Sequence, residues 1–83
     1  MATIILENEA EDFVERCLTM ASDIIHLPIE RMWIDYDKEA DVLYLSFRKP
    51  QRAKDTIETD NDILIRKDGE EIVGLTILHA STR

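Results

Sequence analysis

The sequence predicts an α+β domain, an N-terminal amphipathic helix packed on an antiparallel β-meander of four to five strands. Three observations carry that prediction. Apolar or small residues recur at steps of three and four from Ala10 to Ile25, which is one face of an α-helix. From Arg31 onward the pattern changes to short β-favouring runs, the strongest being Val42–Phe47 and Glu71–Leu78. Turn-forming clusters separate those runs at close intervals, so each strand is expected to pair with its predecessor.

The helical stripe comprises Ala10, Phe13, Val14, Cys17, Leu18, Ala21, Ile24 and Ile25, with Glu7, Glu11, Asp12, Glu15, Arg16, Thr19 and Asp23 away from it. Asn8 followed by Glu11 resembles a capping box, and acids in the first turn suit the positive end of the helix dipole. Pro28 disfavours the α conformation at Leu27, so the helix is expected to stop near His26. Residues 3–6 fit either an extended lead-in or an early helical turn.

The first strand is read at Met32–Tyr36, followed by a polar turn over Asp37–Asp41 and a second strand at Val42–Phe47. Pro50 lies in a loop over Arg48–Lys54. A short strand at Thr56–Thr59, the turn Asp60-Asn61-Asp62 and a strand at Ile63–Arg66 come next. Asp68-Gly69 is a hairpin signal, because glycine accepts the positive φ of a tight turn. Leu43, Leu45 and Phe47 share one face of their strand, and Val73, Leu75 and Ile77 share one face of the last. Those six are the expected seat of the helix stripe. Met32, Ile34, Tyr36, Val42 and Tyr44 then supply apolar surface at the opposite parity. A lone helix covers only one face, so the other is expected to be half-solvated or to meet a second subunit.

At 83 residues the chain forms a single domain over 1–83, a helical extension (1–30) leading a β core (31–83). A domain this small has a thin stability margin. One cysteine, Cys17, excludes an internal disulfide, and no Cys/His cluster exists for zinc. Oligomerisation or a partner protein is the staple that remains. Hydrophobic residues at 45% and charged residues at 34% give a globular composition. Acids in the first twenty residues and the lack of a long apolar run speak against a signal peptide and a membrane span, and a free thiol fits a cytoplasmic location.

The net charge of −8 is uneven: residues 1–30 carry seven acids against Arg16 alone, leaving −6 there and −2 in the remainder. An acidic surface repels phosphate backbones, which argues against direct nucleic-acid binding, and steers basic proteins toward it.

Two separated motifs resemble the domain-of-unknown-function 2283 family of small prokaryotic proteins. The first is Tyr36-Asp37-Lys38-Glu39-Ala40-Asp41-Val42-Leu43-Tyr44; the second, beyond the Asp68-Gly69 hairpin, is Ile72-Val73-Gly74-Leu75-Thr76-Ile77-Leu78-His79-Ala80-Ser81. The resemblance covers roughly residues 31–81 and leaves the helix outside. His79 stands where the family often has Asn or another polar residue. The resemblance supplies no established activity. It implies a partner of a small ribonuclease-type toxin, an antitoxin-like role. The other reading is a homodimeric structural or small-ligand-binding domain without catalytic activity.

Candidate chemistry is sparse, and no cofactor is expected. Asp35, Asp37, Glu39 and Asp41 alternate like the start of a calcium loop, but Ala40 and Ser46 occupy the positions that need Gly and Glu. A solvated edge with turn-capping carboxylates is the better reading, for Asp37 and Asp41 in particular. His79 and Ser81 lack the elbow and orienting acid of a hydrolase triad, and His26 sits at the helix end, where the dipole favours an imidazolium. Cys17 lies on the apolar stripe and reads as structural. Arg48, Lys49, Arg52 and Lys54 form the one basic cluster, read as a solvated loop or a contact for the acidic helix of another subunit. Trp33 fills the helix–sheet junction or serves as a binding hot spot. No catalytic or metal-binding residue is assigned. The expected interaction residues are Phe13, Trp33, Tyr36, Asp37, Asp41, Tyr44 and His79.

Overall fold

The computed structural model describes residues 7–83. The expectations for residues 3–6 fall outside that range. Helix α1 spans Glu7–Ile24 and is followed by strands β1 (Trp33–Asp37), β2 (Val42–Ser46), β3 (Asp55–Glu58), β4 (Ile63–Asp68) and β5 (Glu71–Leu78), then a 3-10 turn at Ala80–Thr82. The class is therefore the α+β arrangement expected, with five antiparallel strands. Glu7 is already helical, so the helix does not begin at Asn8. It ends as Pro28 dictates. Ile25 N–H still reaches the Ala21 carbonyl at 3.1 Å, while His26 and Leu27 tighten to the Asp23 and Ile24 carbonyls at 3.2 and 2.9 Å.

The strand order is β1-β2-β5-β4-β3, which departs from a strictly sequential meander at one place. The longest strand, β5, which also holds the largest number of apolar residues, pairs with both β2 and β4 and takes the centre, where both its edges are satisfied. The loop over 47–54 must then carry the chain past β5 and β4 to the far edge. Eight extended residues span roughly 26 Å and three strand spacings need only roughly 14 Å, so the crossing is easily made.

Short-range chemistry shapes the turns. In the β1–β2 hairpin the Asp37 carboxylate accepts the Ala40 N–H at 3.1 Å, and Asp41 closes the turn at φ 57°, a conformation that Asp tolerates. Thr59 caps the β3–β4 turn, its hydroxyl bonding the Ile63 carbonyl at 3.0 Å. Gly69, at φ 65°, lets Asp68 and Glu71 face one another across a two-residue hairpin. A bulge opposite Arg66/Lys67 leaves Val73 as the extra residue of β5.

The register corrects the assignment of faces. Ile34 pairs with Leu45 and Tyr36 with Leu43, so Ile34 and Tyr36 lie on the same face as Leu43 and Leu45. Parity within a strand is fixed by the pleat, but parity between strands is fixed by the turn that joins them. One row, Ile34–Leu45–Leu75–Ile65–Ile57, therefore runs aliphatic across all five strands, and Tyr36–Leu43–Ile77–Ile63 runs beside it. The opposite face is mixed: it carries Trp33, Tyr44, Leu64 and the pair Val42–Leu78 alongside polar residues such as Asp35, Thr76, Arg66 and Glu58.

The expected packing of α1 on the sheet is not observed. Phe13 is 61% exposed and Leu18 64%, so the stripe faces solvent. Among the described residues the only buried hydrophobic side chains are Val42 and Val73. The radius of gyration is 15.3 Å with extents of 45 × 27 × 22 Å, whereas a compact chain of this length has roughly 12 Å. Local hydrogen bonds close the end of α1 at residues 25–27, and the helix makes no substantial packing contact with the strands of its own sheet.

Candidate functional site

Asp41 is the hub that joins the two motifs. Its Oδ1 accepts the Tyr36 hydroxyl at 2.6 Å and the Ser81 N–H at 3.0 Å, and its Oδ2 accepts the Ser81 hydroxyl at 2.7 Å. Its carbonyl accepts the Ala80 N–H at 3.0 Å. His79 turns the chain into this clasp in the left-handed region, at φ 53°. The first hairpin is thereby tied to the end of the central strand, forty positions away in sequence.

The electrostatics follow from these bonds. The Tyr36 hydroxyl, then the Ser81 hydroxyl, hold the Asp41 carboxyl below its ordinary value. The same bond to Asp41 raises the Tyr36 phenol. A carboxylate held ionised by three donors is a weak proton acceptor, which fits a structural clasp better than a general base. The Ser81 hydroxyl donates to Asp41, while the His79 ring lies 3.5 Å from Asp62, so the two are not arranged as nucleophile and base.

Both shifts give a pH dependence of opposite sign at the two extremes. Asp41 titrates below its unfolded value, so its contribution is complete above about pH 4 and is lost as pH falls through the depressed value. Asp68, lowered by Arg48 and then Lys54, adds to the acid loss. Tyr36 titrates above its unfolded value, so its contribution is complete below about pH 10 and is lost as pH rises through the raised value. Urea unfolding midpoints measured against pH should fall at both ends. Tyr36→Phe should remove the alkaline fall and weaken the acid one. Asp41→Ala should lower the midpoint at neutral pH and flatten both, with a larger effect than Ser81→Ala.

A second polar assembly anchors the crossing loop to the other face of the sheet. Gln51 donates through Nε2 to the Ser46 hydroxyl at 2.9 Å and accepts Arg66 Nε at 3.1 Å, and Arg66 also reaches the Thr56 hydroxyl at 2.8 Å. Arg48 donates to the Gln51 carbonyl at 2.7 Å and pairs with Asp68 at 3.0 Å and Glu71 at 3.6 Å. Two of the four basic side chains are ion-paired within the chain: Arg48 as described, and Lys54 at 3.6 Å from Asp68. Lys49 stands over the Trp33 ring at 5.9 Å. Sequence reasoning missed Gln51 and Arg66, since a loop glutamine and a strand arginine carry no local signal of their pairing.

Of the expected interaction residues, Tyr36, Asp37, Asp41 and His79 gather at the clasp and its flanking turns. Trp33 and Tyr44 lie on the opposite face of the sheet, and Phe13 stands out on α1. A cavity of about 720 Å³ lies where the segment after the helix meets Phe47, Ile72 and Leu75, with Leu27, Pro28 and Ile29 on its other wall. No cluster of three or more metal-ligating side chains occurs among the described residues. No helix among them is long and apolar enough to cross a membrane.

These features define a class: a small α+β domain, a five-stranded antiparallel sheet closed by a tyrosine–aspartate–serine clasp and led by a projecting acidic helix. The chain belongs to the family described as "Protein of unknown function (DUF2283)", whose model matches residues 33–81. That span holds every strand and the clasp and omits the helix. Comparison with curated proteins and with solved structures returns no match to either.

Proposed function

We propose that this chain is a cytoplasmic protein-binding domain whose acidic helix docks a basic protein, in the manner of an antitoxin neutralising a small ribonuclease-type toxin. The observation that supports it is the state of α1. On this 18-residue helix the apolar Phe13, Val14 and Leu18 and the acidic Glu11, Asp12 and Glu15 are exposed to solvent together, and a lone amphipathic helix gains little by ordering itself without a surface to cover. The family matched supplies a scaffold without an assigned activity, and the clasp chemistry favours a structural use of its polar residues.

The test is co-expression with the product of the adjacent gene. A complex that survives purification, weakens with rising salt and is lost on Glu11→Lys/Glu15→Lys substitution is the expected result. A chain that purifies alone, with an adjacent product that remains active in its presence, would contradict the reading.

A further inference from the structure

We infer that the first protein α1 meets is a second copy of this chain, each copy laying its helix across the apolar sheet face of the other. This rests on the reading of the chain as an association domain and names one of its partners. Two complementary surfaces stand open on the same molecule. One is the stripe Phe13, Val14, Leu18 and Ile25, the last 76% exposed. The other is the aliphatic row across five strands, at whose margins Ile34 and Ile57 remain 49% and 46% exposed.

The dimensions agree. From Ala10 to Ile25 the stripe is roughly 22 Å long, and five strands span roughly 19 Å. The two central rows hold no charged side chain, and the charged pair on this face, Asp55 and Lys67, lies at its margin beside Ile57 and Ile65, so a helix lying along the rows keeps its acids on the outer side. Those acids remain available to a basic protein, and the two associations are compatible.

Area makes the same point. A compact 9.6 kDa chain exposes roughly 5,100 Å², whereas this one exposes 7042 Å². Even if residues 1–6 were counted at the exposure of a fully extended chain, they would account for only roughly 1,000 Å² of the excess. The remainder, doubled for two protomers, is roughly 2,000 Å², the size of a stable homodimer interface. Exchange rather than folding back is favoured by the exit of α1. Residues 25–27 are hydrogen-bonded into a closed end, and Leu27–Arg31 line the cavity at the Phe47 corner, leaving the helix directed outward.

A mixed cross-linking experiment tests this. One chain keeps Cys17 on its stripe; the other, carrying a different tag, has Cys17→Ser and Ile65→Cys, which places its only thiol on the sheet face. After co-refolding, a short bis-maleimide should join the two tags in one product of twice the chain mass. Phe13→Asp/Leu18→Asp in the first chain should abolish that product and raise the dimer dissociation constant roughly a hundredfold or more. The circular dichroism of the sheet, against which α1 of the same chain does not pack, should persist and exclude simple unfolding. A chain bearing both Cys17 and Ile65→Cys that links only to itself would overturn the inference in favour of fold-back. The absence of any mixed product would also overturn it, while leaving the association with a basic protein to stand or fall on its own test.

Discussion

Aspartate in place of Val73 leaves no folded population in water at room temperature, and alanine there lowers the unfolding free energy by about 2–3 kcal/mol. Among the described residues Val73 is the one side chain with no exposure at all. It is the bulge residue of the central strand, and its carbonyl accepts the Phe47 N–H at 2.9 Å where the crossing loop leaves β2. A carboxylate there is buried without a partner, at a cost of about 3–5 kcal/mol beyond the lost packing. Total stabilities are only about 5–15 kcal/mol, and small domains sit at the low end. Urea titration followed by circular dichroism measures both variants. A Val73→Asp chain with a wild-type midpoint would show that the centre of the sheet lies elsewhere.

Gly74→Ala is the second large effect, a loss of about 1–3 kcal/mol through overpacking. A methyl group at Gly74 would meet the Gln51 side-chain amide and would lie 2.9 Å from the Leu45 carbonyl oxygen. The glycine is needed because the crossing loop passes directly over β5 here, and Gln51 lies on the bare backbone to reach Ser46 and Arg66. Gln51→Ala should therefore remove part of the penalty, leaving the share due to Leu45. A double-mutant cycle reads this as a coupling of about 0.5–3 kcal/mol. Additive losses would mean that Gln51 does not rest on Gly74.

These two residues show where sequence reasoning reached and where it stopped. The strands of β2 and β5 were legible from their apolar runs, and the Gly69 hairpin from its turn chemistry, because each is a local preference. The helix was legible from its period and its end from Pro28. The pairing of β2 with β5 was not, since it depends on which strand gains most from the centre of the sheet. The faces of Ile34 and Tyr36 were misassigned for a related reason: a turn of one residue more or less reverses them. Asp41 and Ser81 were each singled out, but their bond joins positions forty apart, and neither residue announces the other. Gln51 and Gly74 were invisible as a pair on the same ground. The position of α1 was least legible of all. An amphipathic stripe states that a helix must cover something and leaves open whether the surface belongs to the same chain.

The aliphatic sheet face and the helix stripe both lie open on the same chain, which is what the proposed exchange of helices between two copies would cover. Sedimentation equilibrium of the purified chain at micromolar concentration addresses it directly. The exchanged dimer gives a species of twice the 9.6 kDa chain mass, shifting to the single-chain mass on Phe13→Asp/Leu18→Asp substitution. A wild-type chain that remains at 9.6 kDa up to the millimolar range would contradict it.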